Sequence, residues 1–386
     1  MNADIWSHFR FRLWRTTARG LGLHVMNLRP LFSSFWKAVS YQRSDESFRR
    51  EAIGDLNSVC LLEKARTGVS RRGVLALAAA GLLGCRPAGR TKRRIAVVPK
   101  STTHVFWQSI HAGVLAAGQK LGVEILWNGP ASDTDYGRQI QIFDAMVAQR
   151  VDGIAVSASD RGALNQALDR AAAAGIPVTV FDSGVSSEKY MTFVATDNPE
   201  AGELAAHSLA RLMGGKGKAA MVSHAPGSVS TVDREARFEE VIPRDYPGIR
   251  IVARQFSMAD RARAKAAAEN ILTAHPDLDG MFCSGEAGTI GAALAVKGRG
   301  LDKQVALVGF DSSEGMVEDL KAGVIDTLIL QDPYRLGFEA VKTLVDKLDG
   351  RTPPRVMQLR ARAVTRDDLD QPEVRALLFP DLKRLE

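Results

Sequence analysis

Short apolar strands alternate with amphipathic helices along most of this chain, and that alternation restricts the fold more than any other feature. The first strand, "IAVVP", is followed by a helical pattern over 106–121 that Gly122 ends. The same order of strand and helix then recurs at "VEILWN" and "DGIAVSA", and the strand "IPVTVFD" follows. Strands that are apolar along their whole length, each followed by a helix, predict a parallel sheet covered by helices on both faces.

The pattern restarts after the segment "FVATDNPEAG". Further apolar strands follow, each separated from the next by a helical stretch: "KAAMVSHA", "IRIVARQF", "DGMFCSG", "VALVGFD" and "DTLILQD". Two sets of strands of this size indicate two lobes. We therefore predict an α/β fold with two doubly wound parallel-sheet lobes.

The charge of the chain is unevenly distributed. The 386 residues have a net charge of +7, but residues 1–94 carry 18 Lys and Arg against 6 Asp and Glu, a net of +12, so the rest carries −5. A mildly acidic body lacks the electrostatic footprint of a nucleic-acid binder, and we expect no nucleic-acid partner. The three cysteines, Cys60, Cys85 and Cys283, are too few and too far apart for a disulfide framework or a metal site.

The pattern of residues in the basic leader predicts an export signal. Residues 73–84 have no charged or polar side chain, and this run is too short to span a bilayer but suits a signal peptide preceded by an arginine pair. "LLGC" resembles the lipobox of bacterial lipoproteins, and "SRRGVL" is similar to a twin-arginine export signal. The resemblance implies a signal peptide over 69–85, a lipid anchor on Cys85 in the periplasm or at the outer face of the cytoplasmic membrane, and a basic tether over 86–94.

A DNA-binding alternative exists for the same segment. "EKARTGVSRRGVLALAAAG" resembles the helix-turn-helix of lactose-repressor-like regulators, whose effector domains share the predicted fold. A recognition helix must present polar side chains to bases and phosphates, and residues 74–83 have none to present, so export is favoured.

Residues 1–68 do not fit an N-terminal export signal. We expect them to be a doubtful upstream extension, with translation starting near Val69. Peptides from residues 1–60 in the native protein would contradict this hypothesis.

Ligands of open α/β sheets bind beyond the carboxyl ends of the strands, so the residues found there are candidates for a site. Those strand ends carry residues 100–107, 157–160, 182–183, 224–234, 285–286, 311–312 and 331–332.

Several of these segments together resemble one family. From about Arg94 to Asp370 the chain resembles the type I periplasmic sugar-binding proteins of the ribose-binding family, in "STTHVFW", "IPVTVFDS", "VATDN", "DREARFEEV", "ILTAHPDLDGMFCSGEAGTIGAALAV", "VGFDSS" and "GVIDTLILQDPYRLGFEAV". The resemblance implies a receptor for an ABC importer, whose two lobes are joined by three chain crossings near Asp197, Gln331 and residues 360–365. It implies a first lobe of 95–197 plus 332–365, a second lobe of 198–331 and a C-terminal tail of 366–386.

The candidate residues suit a sugar, which has hydroxyl groups around its ring and apolar faces above and below it. Phe106 and Trp107 point about 100° apart at a helix start, so at least one is available to a cleft rather than the core, and the family places stacking aromatics at both. Carboxylates accept from hydroxyl groups and an arginine donates, although singly each such residue also suits a cap or an ion pair. The predicted ligand-binding residues are Lys100, His104, Phe106, Trp107, Ser157, Asp182, Ser183, Arg234, Glu286, Asp311 and Gln331.

Departures from the ribose-binding pattern predict a different ligand. Ser183 stands where ribose binders carry arginine, Gly285 where they carry asparagine, and Ala259 where they carry an aromatic residue. Lys100 and His104 replace smaller or amide side chains. The ligand is therefore another sugar, a polyol, or a sugar acid or phosphate whose charge Lys100 neutralises, unless Lys100 points to solvent.

Two further functions compete with transport. Asp182 and Asp311 are also candidates for the paired carboxylates of a glycoside hydrolase, but nothing in the sequence sets their separation. The second alternative is a receptor that signals without transport, which would have the same sequence features. No nucleophile-elbow, phosphate-loop, zinc or dinucleotide motif is present. We expect a monomeric, non-enzymatic receptor without cofactor or metal, which binds a sugar or polyol and an ABC permease.

Overall fold

The strands of the first lobe form one fully parallel sheet in the order β11-β5-β4-β3-β1-β2. The structure is a computed structural model that describes residues 92–379, 382 and 385. The strands of this sheet are β1 (Arg94–Val98), β2 (Glu124–Trp127), β3 (Gly153–Val156), β4 (Val178–Phe181), β5 (Thr192–Thr196) and β11 (Val356–Leu359).

The second lobe repeats the arrangement with one difference. Its sheet has the order β12-β10-β9-β8-β6-β7, and only β12 runs antiparallel to its neighbour. The strands are β6 (Lys216–Ser223), β7 (Gly248–Phe256), β8 (Gly280–Cys283), β9 (Ala306–Phe310), β10 (Thr327–Leu330) and β12 (Arg362–Val364).

Helices cover both faces of each sheet, as the uninterrupted apolar strands require. Within the described residues they are α1 (Val105–Leu121), α2 (Tyr136–Ala148), α3 (Asn165–Ala173), α4 (Asn198–Leu212), α5 (Val229–Asp245), α6 (Arg261–Ala274), α7 (Glu286–Arg299), α8 (Glu314–Ala322), α9 (Pro333–Leu348) and α10 (Pro372–Leu378), with a 3-10 turn at Arg366–Asp368. The first sheet packs against α1 and α9 on one face and α2 and α3 on the other. The second packs against α4 and α5 on one face and α6, α7, α8 and α10 on the other. The predicted α/β class with two doubly wound lobes is confirmed.

The chain passes between the lobes three times: at Asp197 between β5 and α4, at Gln331 between β10 and α9, and at residues 360–361 between β11 and β12. The third crossing corrects the expected boundary of the first lobe at residue 365. β12 pairs with β10 of the second sheet, so residues from 362 onward belong to the second lobe. The expected tail is part of that lobe too, because Val374 and Leu378 of α10 are buried in its core.

Local sequence signals set where the helices begin and end. Gly122, Gly300 and Gly323 end α1, α7 and α8 in the left-handed conformation that glycine adopts at little cost. Asp197 and Asp332 cap the helices that start at two of the crossings, α4 and α9, by accepting a backbone N–H from the first turn. These caps help to place the crossings at short, defined turns.

The features predicted for the leader lie outside the described residues. They are the extension over 1–68, the signal peptide over 69–85, the lipidation of Cys85 and most of the tether over 86–94, of which 92–94 are described and Arg94 opens β1. Within the part of the chain that is described, none of the helices combines the length and the apolar character needed to cross a bilayer.

Glycines let α1 and α9 pack with their backbones in contact. A Cβ on Gly113 would lie 1.9 Å from the carbonyl oxygen of Tyr334, and one on Gly337 would lie 2.2 Å from that of Ile110. Backbone atoms cannot move aside as a flexible side chain can, so neither position has room for a methyl group.

We expect Gly337→Ala to lower the free energy of unfolding by about 1–3 kcal/mol through overpacking of this helix pair. Gly298→Ala is the control, because an added Cβ there meets nothing within 4 Å, and it should raise stability by about 0.5–1 kcal/mol through helix propensity. Urea denaturation monitored by circular dichroism measures both changes. Equal midpoints for the two variants would contradict the close contact.

Candidate ligand-binding site

The carboxyl ends of the parallel strands of the two sheets face each other across a cleft. This edge is where the loops of parallel strands collect polar side chains. The cleft is lined by Lys100, His104, Phe106, Trp107, Asp133, Asp182, His224, Ser230, Thr231, Arg234, Gly285, Glu286, Ala287, Asp311 and Gln331. The structure thus brings together nine of the predicted residues, all except Ser157 and Ser183.

Two aromatic rings at the start of α1 form one wall. The rings of Phe106 and Trp107 meet edge to face, with centroids 5.0 Å apart and planes at 79°. Trp107 is buried and its Nε1–H donates to Asp133 Oδ1 at 3.2 Å, whereas Phe106 is half-buried. Both rings line the cleft, so the apolar face that a sugar ring requires is present.

Lys100 does not point to solvent. Its side chain, at the end of β1, is 4% exposed, and Nζ lies 3.0 Å from Asp182 Oδ2. Nζ also donates to the hydroxyl oxygens of Ser228 and Ser230, each at 3.0 Å. These serines belong to the second lobe, so the ammonium group connects the two walls. All three of its N–H donors already have protein acceptors.

Asp182 and Asp311 occupy equivalent positions in the two lobes, directly after β4 and β9. Both have left-handed backbone conformations, with φ of 58° and 70°. Aspartate tolerates this region better than most residues because its short side chain bonds locally, but the conformation still costs energy. Backbone strain at two carboxylates in one cleft is typical of a functional site.

Arg234 is buried against the floor of the second lobe. Its Nε and Nη2 donate to Asn198 Oδ1 at 3.2 and 2.7 Å, Nη1 donates to the carbonyl of Ser284 at 2.8 Å, and the guanidinium lies 3.6 Å from the ring centroid of Phe310. Burial lowers the pKa of Arg234, and the nearby carboxylates, Asp311 foremost, oppose that change. The planar group is therefore held rigidly, with donors left over for a ligand.

Asp311 and Gln331 form a connected pair at the second crossing. Gln331 Nε2 donates to Asp311 Oδ1 at 2.7 Å, and its Oε1 accepts from Thr196 at 2.6 Å. The backbone N–H of Glu286 donates to the other oxygen of Asp311 at 3.1 Å. Burial raises the pKa of Asp311, although the charge of Arg234 and the bond from Gln331 act against it.

Glu286 begins α7 and reaches across to the first lobe. Its Oε2 accepts the backbone N–H of Phe106 at 3.2 Å, while Oε1 pairs with Arg261 at 2.8 Å and lies 3.8 Å from His104 Nδ1. Burial raises the pKa of Glu286, but the nearby imidazole of His104 and the bonds from Phe106 and Arg261 outweigh it and lower the pKa overall. Burial lowers the pKa of His104, yet Glu286 and Asp133 raise it above its ordinary value.

Ser157 and Ser183 lie behind the wall of the cleft. Ser157 donates to Asp182 Oδ2 at 2.7 Å, and Ser183 Oγ accepts the backbone N–H of Ser230 at 3.3 Å. Both are fully buried, so the structure places them as supports of Asp182 and of the contact between lobes, and not on the cleft surface that was expected for them.

Asp133 is a cleft residue that the sequence reasoning missed. It lies in the loop after β2, which is not among the predicted strand-end segments, and is 6% exposed. Its Oδ2 is 3.4 Å from His224 Nε2, and Oδ1 is 4.0 Å from His104 Nε2. Burial would raise the pKa of Asp133, but the bond from His224 and the charges of His104 and Lys100 hold it well below its usual range.

His224, Ser230 and Thr231 were also missed, although all three lie within the inspected range 224–234. Within the described residues, no group of three or more His, Cys, Asp and Glu side chains is arranged to hold a metal ion. The site is thus an aromatic wall with a ring of polar groups contributed by both lobes.

A two-lobed α/β protein with such a cleft at facing strand ends is a ligand-binding protein by its architecture. A family model described as a periplasmic binding protein domain matches residues 95–352, and the chain belongs to this family. The predicted resemblance to type I periplasmic sugar-binding proteins is confirmed.

Solved structures and curated relatives agree with this assignment. A carbohydrate transporter solute-binding protein from Agrobacterium radiobacter, in complex with D-arabinose, is 30% identical with a TM-score of 0.73, and the match covers 75% of this chain and 99% of that one. An ABC transporter solute-binding protein from Agrobacterium vitis with bound D-fucose is 31% identical with a TM-score of 0.72, over 74% and 100%. The ribose import binding protein RbsB of Bacillus subtilis is 26% identical over 64% of this chain and 78% of its own length.

Removing the Asp182 carboxylate should destabilise the fold. We expect Asp182→Ala to cost about 3 kcal/mol, because it leaves the Lys100 ammonium buried without its counter-charge and places alanine in a left-handed conformation. Asp182→Asn should cost less, since asparagine tolerates that conformation and still accepts from Ser157. Thermal and urea denaturation compare the two. The double variant Lys100→Met/Asp182→Ala should recover part of the loss, and a double variant as unstable as the sum of its single changes would contradict the pairing.

Proposed function

We propose that this protein is an extracytoplasmic receptor of an ABC importer, which binds an uncharged monosaccharide or related polyol between its lobes and delivers it to a membrane permease. The observation that carries the proposal is the cleft itself, where the Phe106 and Trp107 rings face polar groups of the second lobe, Arg234 and Glu286 among them. Rings can stack on the apolar face of a sugar, while carboxylate and guanidinium groups bond its hydroxyls.

The relatives support a sugar as the ligand and import as the role. The similar solved structures hold D-arabinose, tagatopyranose and D-fucose, and the similar curated proteins include import binding proteins for ribose and for D-apiose. These matches favour a transport receptor over a DNA-binding regulator. A sensory receptor without transport is the remaining alternative.

The charges in the cleft favour an uncharged ligand. Its lining includes four carboxylates, Asp133, Asp182, Glu286 and Asp311, against two permanent cations, Lys100 and Arg234. Lys100 is already bonded to Asp182 and two serines, so it has no free donor for a carboxylate or phosphate. We therefore withdraw the sugar acid and sugar phosphate that Lys100 suggested in the sequence.

Ligand binding would act by stabilising the arrangement in which the lobes touch. Several bonds cross the cleft, including those from Lys100 to Ser228 and from Phe106 to Glu286, and the backbone N–H of Arg161 donates to the carbonyl of Gly227 at 3.0 Å. A ligand held by both lobes favours this arrangement by its differential affinity. The surfaces of the two lobes together would then be recognised by the permease.

Membrane anchoring and a monomeric state are further parts of the proposal. A lipid anchor on Cys85 would keep the receptor at the outer face of the membrane, near its permease. The receptor would act as a monomer and carry out no chemistry, since binding and release are sufficient for delivery.

The experiment is a thermal-shift screen of the purified protein against pentoses, hexoses, polyols, sugar acids and sugar phosphates. A bound ligand at a hundred times its dissociation constant should stabilise the fold by about 2.7 kcal/mol. We expect shifts for uncharged sugars or polyols only, lost in Asp182→Asn and Arg234→Met. Asp144→Asn is the matched control, because Asp144 makes only an exposed ion pair with Arg170 in the first lobe.

No shift with any compound, or shifts with sugar acids or phosphates alone, would count against the proposed ligand class. A shift that survives in Asp182→Asn and Arg234→Met would place the ligand elsewhere.

A further inference from the structure

Asp133 contacts one side chain from each lobe. It accepts the indole N–H of Trp107 with Oδ1, and Oδ2 lies 3.4 Å from Nε2 of His224, which belongs to the opposite lobe. A buried carboxylate of this kind is tolerated because it has such partners and stays ionised. An ionised carboxylate can only accept hydrogen bonds.

The contact with Asp133 favours one proton position on His224. Nε2 lies 3.4 Å from an ionised carboxylate oxygen, and because that oxygen can only accept, the neutral ring is favoured with its hydrogen on Nε2 and with Nδ1 as an acceptor. Among the described residues, Nδ1 of His224 is a buried polar atom without a hydrogen-bond partner. An unpaired buried acceptor is costly, so this nitrogen calls for a donor that the protein does not supply.

His224 Nδ1 lies next to Gly285 at the wall of the cleft. A Cβ on Gly285 would lie 3.4 Å from His224 Nδ1, and Gly285 has none. Both residues line the cleft. The backbone of Gly285 is extended, with φ of −172°, a conformation that any residue can adopt. A glycine is therefore required here for the room it leaves and not for its backbone freedom. A hydroxyl group of a ligand bound beside Gly285 would supply the missing donor.

We propose that Asp133 is a positioning residue of the ligand site, which holds His224 in the Nε2–H form so that its Nδ1 accepts a hydrogen bond from a ligand hydroxyl group beside Gly285. This inference rests on the proposed function and deepens it, because it assigns one ligand contact and its direction. A ligand that presents an ether oxygen, or no polar group, at this point is bound more weakly.

The test uses Asp133→Asn. The asparagine oxygen can still accept from Trp107, but its NH₂ group faces His224 and donates, so the imidazole hydrogen moves to Nδ1 and the acceptor becomes a donor. Asp135→Asn is the matched control, since Asp135 is exposed in the same loop and caps α2, a role that asparagine performs equally well.

The first readout needs no ligand. ¹⁵N-imidazole spectra of the protein, recorded about one pH unit above the ordinary histidine pKa, report which nitrogen carries the hydrogen. The His224 signals are assigned among the seven histidines by their loss in His224→Gln. We expect Nε2–H in the wild type and in Asp135→Asn, and Nδ1–H in Asp133→Asn. A wild-type ring protonated on Nδ1, alone or together with Nε2, overturns the proposal.

The second readout is affinity for D-arabinose, D-fucose, D-tagatose, D-ribose and D-allose by calorimetry. For each sugar that binds, Asp133→Asn, His224→Gln and Gly285→Ala should each raise Kd about tenfold or more, and Asp135→Asn should leave it unchanged. His224→Gln and Gly285→Ala test the contact even where Asp133→Asn fails to fold. Affinities within twofold of the wild type in these variants overturn the proposal while the proposed function stands. If no sugar or polyol binds the wild type, the proposed function fails, and the spectra alone decide whether Asp133 positions His224.

Discussion

The geometry of this protein depends on one constraint: parallel strands end at the same edge of a sheet. Each lobe therefore collects its loops at one edge, and three crossings near residues 197, 331 and 360 bring the two edges face to face. Two caps, those of Asp197 and Asp332, keep two of these crossings short. Every functional feature, from the aromatic wall to the carboxylates, follows from that meeting of edges.

Charged side chains are buried where the edges of the two sheets face each other, and each of them has a partner in the cleft. Lys100 is neutralised by Asp182, and Glu286 by Arg261, while Asp133 accepts a bond from an indole and lies next to an imidazole. Unpaired, each charge would cost several kcal/mol. The pairing leaves the walls rigid before a ligand arrives, and rigid walls lose less entropy on binding. It also leaves the Lys100 ammonium group without a free donor for an anion.

The strand-end reasoning predicted Phe106, Trp107, Asp182 and Asp311 because those positions follow directly from strand and helix boundaries. It placed Ser157 and Ser183 in the same set, yet their small side chains are covered by Asp182 and the second lobe. The same reasoning did not predict Asp133, since a carboxylate in a polar loop cannot be distinguished from a solvated turn residue by sequence, and only the opposing lobe buries it.

The sequence by itself determined most of the elements and their order, because apolar periodicity and cap residues are local properties that a short window already contains. The class of protein followed from the resemblance of several strand-end segments to the ribose-binding family. Only the tertiary structure decided which groups meet across the cleft. Lys100 bonds to serines 128 and 130 positions away, and β12 joins the second sheet beside β10. Such contacts depend on how two lobes pack edge to edge, and the residues themselves carry no periodic signal of a partner so distant in the chain. That packing turned a lysine suited to an anion into one with no donor left for it.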